Sequence, residues 1–481
     1  MLTYGLISIG VLILVILIRT LRFKTSDIDQ TIEKTKVFID PKRSAQVLSE
    51  GIQIKTISTV DPSAMDCEAF EAYHKKLEEL FPLVHKHMVK EAVNTHSLLY
   101  KWSGEDQAVK PVLMTAHMDV VPVEASTEDQ WTYPPFSGAI EEGFVWGRGS
   151  LDTKVTMLSA LQGAELLLEK GFVPKRDIYF AFGHDEEVRG TGGATEIAKV
   201  LKERGISFDF LMDEGGTVVE NVIKGIDKPL ALIGIAEKGY ANVKVTVNGQ
   251  GGHASMPPKS TALGRIAKVI TNLEENQAKL KMSKPVEGFL LTIGPEMGGI
   301  NKVIIANFWL FKPIFLKVFS ATKSGNALLR TTTAATMASA SNMANVLPES
   351  ASATFNFRIA PGESVASLLD HIKEVNKGIE IDVEPLYTEA PSIISSTETE
   401  GFHLIKGITH LLYEEALIAP YIVLAATDAR KYEAVCKDIY RFAPYKVDNA
   451  DLGKMHSSNE NISIDNVKNC VEFYVTLFEN V

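Results

Sequence analysis

Cysteine is scarce in this chain. The three cysteines, Cys67, Cys436 and Cys470, lie far apart in the 481-residue sequence, and none belongs to a CxxC pair. Disulfide-stapled folds need a dense set of cysteines, and thiolate zinc sites need closely spaced pairs. The sequence therefore signals neither a disulfide framework nor a cysteine zinc site.

An excess of positive charge is also lacking. The 49 lysines and arginines are outnumbered by 60 aspartates and glutamates, which gives a net charge of −11. Phosphate binding requires a basic face, so this balance argues against a nucleic-acid partner. Internal repeats and low-complexity segments are absent from the sequence as well. Because 481 residues are too many for one core, we expect two domains.

A single long apolar run opens the chain. Residues 2–18 carry no charge, and their length is at the lower limit for a membrane-spanning helix, about 17 residues. No basic residue precedes the run, whereas Arg19, Arg22 and Lys24 follow it, which is the reverse of a cleaved signal peptide. We therefore predict that residues 1–24 form an uncleaved single-pass anchor in the lipid bilayer, with a signal peptide as the alternative. The positive-inside rule favours a cytoplasmic body, but the side of the membrane stays open.

Apolar strands alternate with amphipathic helices in the first half of the chain. Residues 25–42 are predicted as a polar helical connection and residues 44–90 as mainly helical. Nearly continuous apolar runs, typical of strands buried on both faces, occur in HSLLYKWSG, KPVLMTAHMDVVPV, DIYFAFG and FDFLMDEGG. Helical patterns lie between the later runs. The alternation predicts an α/β fold whose sheet is mostly parallel and is covered by helices on both faces.

The pattern changes near Ala236. Strand and helix patterns then follow in the order β-α-β-β-α-β, which is the split-βαβ or ferredoxin-like arrangement. Alternation typical of an α/β sheet returns afterwards. We therefore predict an inserted lid domain at residues 238–388. The catalytic domain would comprise residues 40–237 and 389–481.

Three adjacent acids follow one of the buried strands. The stretch FGHDEEVRGTGG, residues 182–193, places Asp185, Glu186 and Glu187 side by side. Adjacent carboxylates repel one another and are costly to remove from water. A bound cation would relieve both penalties, so the stretch points to a metal site.

Further acids and histidines follow the other strands. They are His117 and Asp119 in TAHMDVVP, Asp152 in GRGSLDTK, Asp213 in LMDEGG and His456 in KMHSSNE. Open α/β sheets bind ligands at the carboxyl ends of their strands. Histidine with carboxylate suits zinc or a similar transition metal, and the number of acids suggests two metals that share one carboxylate. Each residue alone has a commonplace explanation, such as a surface pair or a helix N-cap, but their combination favours the metal site.

A set of longer motifs resembles metallopeptidase family 20, the di-zinc aminoacylases and carboxypeptidases. The motifs are HMDVVPV, WTYPPFSG, GRGSLDTK, GHDEEVRGTGG, DEGG, GGHASMPP, NVLPE, FRIAPGES and MHSSNE, and the resemblance covers residues 45–481. NALLRTTTA, ATDARKY and IYRFAPY are most similar to the branch of the Gly-X carboxypeptidases and N-fatty-acyl-amino-acid synthase/hydrolases.

This resemblance implies a site with two zinc ions per subunit, with cobalt or manganese as the alternatives. The implied ligands are His117 and Asp213 for one ion, Glu187 and His456 for the other, and Asp152 as the bridge. Asp119 would accept the ring N–H of His117 and so fix its tautomer. Glu186 would be the general base that takes a proton from the attacking water and later gives it to the leaving amine.

The resemblance also implies how substrate is held. His253 in GGHASMPP would reach into the site of a second subunit and hydrogen-bond the developing oxyanion, which implies a homodimer through the lid. Asn345 and Arg358 would hold the substrate carboxylate, and Arg430 is a second candidate for that task.

We therefore expect a zinc-dependent hydrolase acting on a small peptide or N-acyl amino acid. It would cleave the amide bond between an acyl or peptidyl group and a C-terminal amino acid with a free carboxylate. A dipeptidase or aminoacylase of the same family is the alternative, and a membrane-tethered binding protein with a decayed site is less favoured because every implied ligand is present. The apolar stretch at residues 303–319 stays open between a helix packed on the lid, a wall for an acyl chain and a membrane-facing patch.

Overall fold

A ten-stranded sheet forms the body of the protein. The computed structural model describes residues 2–25, 32–223 and 225–481. The strands, in the order in which they lie, are Val89–Val93, Ser97–Trp102, Ile178–Gly183, Val112–His117, Leu211–Asp213, Ile439–Arg441, Leu230–Glu237, Val218–Val219 and Lys446–Val447, with Leu417–Val423 paired to Leu230–Glu237.

This sheet is mixed, which corrects the expectation of a mostly parallel one. Strand Ile178–Gly183 is parallel to Val112–His117 on one side and antiparallel to Ser97–Trp102 on the other. Val89–Val93 is antiparallel to Ser97–Trp102. Only residues 94–96 separate the last two strands. A parallel pair needs a crossover of about a dozen residues or more, so this short connection dictates an antiparallel hairpin.

Side chains on alternate positions of the central strands enter two different cores. On the strand Val112–His117, Val112 and Met114 pack into one core and Leu113 into the other. Burying each such side chain is worth about 1.5–3 kcal/mol, which favours apolar residues at both the odd and the even positions of this strand. The helices over the first core are Pro41–Ile52, Cys67–Leu80, Lys154–Glu169 and Ile464–Asn480, and Ala194–Glu203 covers the second.

The chain before the body differs from the predicted helical connection. Residues 26–31 lie outside the described residues, residues 32–40 are not helical, and the first helix of the body is Pro41–Ile52. The Asp40 carboxylate caps this helix by accepting a hydrogen bond of 3.0 Å from the Lys42 amide. The remaining elements of the body are Pro82–His87, Glu400–Leu412, Asn449–Leu452 and a small sheet of Ile140–Glu141, Phe144–Trp146 and Asn461–Ser463.

A second sheet, of four antiparallel strands, begins at Gly239. The strands in order across it are Thr332–Ser339, Ser350–Ile359, Gly239–Asn248 and Asp382–Glu389. Helices Ala262–Glu275 and Val365–Val375 pack on it around an apolar core of its own. The chain order is therefore β-α-β-β-α-β, the split-βαβ arrangement. The domain boundaries at residues 238 and 388, and the role of this unit as a lid, remain predictions.

Four additional helices lie between the first helix and the second strand of this unit; we call residues 284–329 the helical insert. They are Lys284–Ile293, Gly299–Ala306, Phe308–Phe319 and Lys323–Leu329. The insert rests on the large sheet: the rings of Phe289 and Tyr421 are 6.0 Å apart, and a Cβ on Gly288 would lie 2.8 Å from Pro420 Cγ. The first of its helices is thus held at strand Leu417–Val423.

The N-terminal apolar helix is Leu2–Arg22, of 21 residues, and it is long and apolar enough to cross a membrane. At 1.5 Å per residue it is about 31 Å long, close to the hydrocarbon thickness of a bilayer. Its last turns contact the helical insert: Arg19 Nε donates to the carbonyl of Ala306 at 3.3 Å, and Asn307 Nδ2 donates to Thr20 Oγ1 at 3.2 Å. By length and composition the helix fits a membrane anchor and a signal sequence equally well.

Candidate metal centre

Two parallel strands bring a histidine and the three adjacent acids to one edge of the large sheet. His117 ends its strand and pairs with Gly183, which ends the neighbouring strand. The chain after Gly183 therefore turns beside His117, where Glu186–Val188 forms a single 3-10 turn.

Asp185, the first of the three acids, holds its own loop together. Its carboxylate accepts hydrogen bonds from the amides of Gly192, at 2.6 Å, and Gly193, at 2.8 Å. Gly190 lets the loop close, because its φ is +62° and a Cβ there would lie 1.9 Å from Asp428 Oδ1. Glycine is therefore needed at positions 190 and 193 of the motif because carboxylates approach the backbone closely there.

His117 is buried among carboxylates. Its Nε2 lies 3.2 Å from Asp152 Oδ1, 3.3 Å from Glu214 Oε1 and 4.0 Å from Glu186 Oε2. The second of the three adjacent acids therefore faces this histidine, slightly farther away than the other two carboxylates.

His456 meets the same aspartate from the other side. Its Nε2 lies 3.0 Å from Asp152 Oδ2 and 3.3 Å from Glu187 Oε1. Asp152 therefore presents one oxygen to each histidine, which is the arrangement that a carboxylate needs to bridge two metal ions. The third of the adjacent acids, Glu187, belongs to this second half of the cluster.

Asp119 connects the buried histidine to the acid loop. His117 Nδ1 lies 3.3 Å from Asp119 Oδ1 and 2.9 Å from the Asp119 backbone oxygen. The same carboxylate accepts hydrogen bonds from the amides of Glu186, at 3.2 Å, and Glu187, at 3.1 Å, and from Ser58 Oγ at 2.6 Å. With Nδ1 engaged in this way, the ring presents Nε2 to the cluster.

A buried ion pair that the sequence interpretation missed positions Asp152. Glu460 Oε1 accepts hydrogen bonds from the amides of Gly149, Leu151 and Asp152 at 3.0, 2.8 and 3.3 Å. Its Oε2 lies 2.7 Å from Arg148 Nη1. A fully buried carboxylate requires such partners, so the pair stiffens the loop that carries Asp152. The available signal was the motif MHSSNE, whose last residue is Glu460.

In the structure Glu214, not Asp213, lies beside His117. Asp213 is the last residue of its strand and belongs to none of the groups of potential metal ligands in the described residues. The strand ends at Asp213, and the bend that begins at Glu214 turns that side chain toward the histidine. The motif DEGG contains both acids, and only the direction of each side chain distinguishes them.

Burial and mutual repulsion disfavour the charged forms of two of these acids. Burial raises the pKa of Glu186 well above its ordinary value, and the charges of Asp428 and Glu214 add to the shift, against the opposing effect of His117. Burial also raises the pKa of Glu214 to about 7, with the charge of Asp152 as the next contribution. The cluster thus has more negative charge than its own partners balance.

The histidines respond in the opposite sense. Hydrogen bonds to Asp152 and Glu187 raise the pKa of His456 to about 10. Burial alone would lower the pKa of His117, but Glu214, Asp119 and Asp152 outweigh it and raise that pKa. Both rings therefore experience a strongly negative potential, which is the environment that a cation prefers.

The donors of the cluster fit a transition metal. Three groups have ligand atoms within 4.8 Å of one another: His117, Asp152 and Glu214; His117, Glu186 and Glu187; and Asp152, Glu187 and His456. Glu187 Oε1 is buried 3.3 Å from His456 Nε2, so a cation bound here would have an oxygen and a nitrogen ligand side by side. Imidazole and carboxylate without thiolate form a zinc-type set.

Residues 113–480 match the description "Peptidase family M20/M25/M40". The chain belongs to this family. Membership makes it a metallopeptidase-type enzyme with a divalent metal, in agreement with the donors assembled around Asp152.

Similar proteins cover nearly the whole chain. It is 38% identical over 443 residues, 91% of this chain and 84% of the relative, to "Probable carboxypeptidase S-like 2" of Dictyostelium discoideum. It is 33% identical over 488 residues, 99% and 94% of the two chains, to "N-fatty-acyl-amino acid synthase/hydrolase PM20D1" of Xenopus tropicalis. The fold resembles the M20 family metallo-carboxypeptidase Sso-CP2 of Sulfolobus solfataricus, with a TM-score of 0.63, 16% identity and coverage of 91% and 98%.

Three of the residues predicted to contact substrate, His253, Asn345 and Arg358, lie in the second sheet and its loops. His253 is exposed in the short strand Gly252–His253, where its Nδ1 lies 2.8 Å from Ser255 Oγ. Asn345 is next to it, because the Ala254 amide donates to the Asn345 carbonyl at 3.0 Å. Neither residue belongs to the potential ligand groups of the described chain.

Arg358 has a free guanidinium in the described structure. It lies in strand Ser350–Ile359 opposite Tyr240, with its guanidinium carbon 4.8 Å from the centre of the tyrosine ring. No ion pair joins Arg358 to any carboxylate of the described residues. Stacking on the ring orients the fork and leaves its N–H groups available to a ligand carboxylate.

Arg430 contrasts with Arg358 and does not fit its predicted role. It is buried, its Nε donates to Glu237 Oε2 at 2.8 Å, and its Nη2 donates to both Glu237 and the Lys238 carbonyl. Its Nη1 lies 3.2 Å from Glu389. Because these partners occupy its donors, Arg430 has no free fork for a substrate. Its place in the motif ATDARKY therefore reflects packing.

Proposed function

We propose that this M20 enzyme hydrolyses the amide bond between an acyl or peptidyl group and a C-terminal amino acid with a free carboxylate. The observation that carries the proposal is Asp152, which faces His117 with one oxygen and His456 with the other, with Glu186 beside it. The printed names of the relatives, a carboxypeptidase S-like protein and an N-fatty-acyl-amino acid synthase/hydrolase, support the bond type.

Two zinc ions are the proposed cofactor, with cobalt or manganese as alternatives. The residues that would hold them are His117 and Glu214 for one, His456 and Glu187 for the other, and Asp152 between. When bound, the ions would polarise the scissile carbonyl and make water a better nucleophile. This set differs from the predicted one only in that Glu214 takes the place of Asp213.

Glu186 is the proposed general base. Its carboxylate lies at the edge of the cluster, 4.0 Å from His117 Nε2, and is farther from that nitrogen than Asp152 or Glu214. Burial raises its pKa, which strengthens it as a proton acceptor. It would take a proton from the attacking water and deliver it to the nitrogen of the leaving amino acid.

Asp119 is proposed to position rather than to react. It receives the amides of both Glu186 and Glu187 and lies beside His117 Nδ1. One carboxylate therefore sets the orientation of the histidine and of the loop that carries the base. Loss of such a partner typically costs about 10–100-fold in metal affinity or activity.

The free carboxylate of the substrate is assigned to Arg358. Asn345, the other residue predicted for this task, lies beside the His253 loop, beyond the opposite end of strand Ser350–Ile359. Arg358 has no competing carboxylate among the described residues, and its planar fork suits bidentate binding. His253 is assigned to the oxyanion. Because it is exposed and outside the ligand groups, we propose that it acts across a homodimer formed through the second sheet.

The N-terminal helix Leu2–Arg22 is proposed as a single-pass membrane anchor. Its apolar length fits the hydrocarbon core, and Arg19 and Arg22 mark its final turn. Retention of the segment in the mature protein, read by N-terminal sequencing, distinguishes an anchor from a cleaved signal sequence.

A hydrolysis screen tests the function. Purified protein with added zinc is offered N-acyl amino acids of graded chain length, blocked dipeptides and the matching methyl esters. We expect free acids to be cleaved faster than their methyl esters. A chelator should abolish the activity, and added zinc should restore it. Preferred cleavage of unblocked dipeptides would instead identify a dipeptidase.

A further inference from the structure

One helix of the insert, Phe308–Phe319, has apolar residues on all its sides and only two charged residues, Lys312 and Lys317. Its inner face carries Phe308, Phe315 and Phe319. The ring centres of Phe308 and Phe315 are 5.0 Å apart, and those of Phe315 and Phe319 are 5.2 Å apart. The outer face is apolar as well. A helix that is apolar all round is normally buried in protein or in a membrane.

The outer face is not covered by the described protein. Trp309, Ile314 and Val318 are exposed by 55%, 62% and 66%. Leu310 and, on the preceding helix, Ile300 are also exposed. We call these five exposed apolar side chains, which lie within residues 300–318, the outer apolar face.

The stretch of sequence that carries this face has charge of one sign. No aspartate or glutamate occurs between Glu296 and Glu349, although the whole chain has a net charge of −11. The basic residues of that interval are Lys302, Lys312, Lys317, Lys323 and Arg330. Apolar side chains interspersed with lysine are typical of helices that lie in the interface of an anionic bilayer.

The same helix begins where the N-terminal helix ends. Arg19 and Thr20 contact Ala306 and Asn307, directly before Phe308. If Leu2–Arg22 spans the bilayer, its last turns lie at the boundary between hydrocarbon and head groups. The outer apolar face is therefore continuous with the surface of the membrane span.

We propose that the outer apolar face is a second membrane contact, in which Phe308–Phe319 lies in the interface of an anionic lipid bilayer beside the N-terminal helix. The contact holds the body of the enzyme close to the lipid surface. A second copy of the chain is a poorer occupant, because a two-fold contact would bring Lys312 and Lys317 against their own copies.

Trp309 provides a direct probe. The full chain, which has four tryptophans, is reconstituted into vesicles whose acyl chains carry bromine, a quencher of tryptophan fluorescence. Wild-type protein should be quenched more than Trp309→Phe, and more in vesicles that contain phosphatidylglycerol than in phosphatidylcholine alone. Equal quenching of wild type and Trp309→Phe would overturn the contact, and equal quenching in both lipids would overturn the anionic assignment.

Two valines of the same exposure provide a matched pair. Val318 lies on the outer apolar face, and Val89, also exposed by 66%, lies on the edge strand Val89–Val93. Val318→Glu should reduce the quenching due to Trp309 by about twofold, because a carboxylate is expelled from an anionic interface, and Val89→Glu should leave it unchanged.

Other occupants give different results. Unchanged quenching in Val318→Glu, with loss of self-association in detergent, would assign the face to a second copy. Unchanged quenching with a raised KM for long-chain N-acyl substrates in detergent would assign it to the acyl chain. Either result overturns the bilayer contact, and neither depends on whether the amide hydrolysis proposed above is correct.

Discussion

The edge of the large sheet and the second sheet carry two differently organised sets of polar residues. Around His117 and His456 several proposed ligands are supported by other residues of the same body: His117 and the Glu187 amide by Asp119, and the Asp152 loop by Glu460. In the second sheet, His253 is exposed and Arg358 has a free fork. The first set is assembled within one chain, whereas the roles proposed for the second set require a substrate or another subunit.

This difference has a physical cause. Buried carboxylates must be paired or hydrogen-bonded, so a site made of acids requires a rigid, fully connected surrounding. Exposed donors can remain unpaired at little cost because water satisfies them. Variants of the two regions should therefore fail in different ways.

The largest effect is expected from Glu186→Gln. The amide has nearly the shape of the acid but cannot accept a proton, so turnover should fall by about 10²–10⁴-fold. Metal content, measured by atomic absorption on the same preparation, should stay at the wild-type level. Loss of metal in this variant would make Glu186 a ligand and would remove it from the role of base.

His253→Ala should lower turnover by about 10²–10³-fold, because one oxyanion donor is removed. If His253 acts across a dimer, mixing this variant with Glu186→Gln should recover up to about a quarter of wild-type activity after random subunit exchange. The mixed dimer then contains one site with both groups intact. Dimers that form but remain inactive would place His253 in its own chain or outside the site.

Glu214→Gln and Asp213→Asn separate the two acids of the DEGG motif. Removal of a residue beyond the ligands already costs about 10–100-fold in metal affinity, so loss of a ligand should cost at least that much. Competitive chelator titration should therefore weaken zinc binding far more in Glu214→Gln than in Asp213→Asn. The reverse order would restore Asp213 as the ligand.

Arg358→Ala should raise KM for free acids by about 10–100-fold, since a hydrogen bond to a charged group contributes about 1.5–3 kcal/mol. KM for the matching methyl esters should hardly change, and thermal unfolding should stay near the wild-type temperature. If the ratio of KM for free acids to KM for methyl esters is unchanged, Arg358 does not bind the substrate carboxylate.

Arg430→Ala is the matched control and should have the smallest effect on substrate selection. It leaves Glu237 buried with Arg441 as its remaining strong partner. We expect a loss of about 3 kcal/mol in the free energy of unfolding, the lower end for a broken buried pair, read by denaturant titration. A selective rise in KM for free acids relative to the methyl esters, with unchanged stability, would contradict the buried position of its guanidinium.

Much of the fold was predictable because local patterns carry it. The apolar runs that became Val112–His117 and Ile178–Gly183 and the β-α-β-β-α-β order of the second unit are recognisable without a structure. Strand direction was not, because the same apolar run serves a parallel or an antiparallel neighbour. The antiparallel pairing of Val89–Val93 with Ser97–Trp102 follows from the short connection at residues 94–96, whose turn the sequence patterns did not indicate.

The sequence by itself determined the chemistry available at the strand ends: histidines and carboxylates without thiolates. Only the tertiary structure decided which side chain faces which. It placed Glu214 rather than Asp213 beside His117, enclosed Arg430 in a buried network with Glu237, and put the apolar insert next to the N-terminal helix. The physical reason is that residue type sets what a group can bind, whereas side-chain direction and long-range packing depend on contacts between segments far apart in the chain.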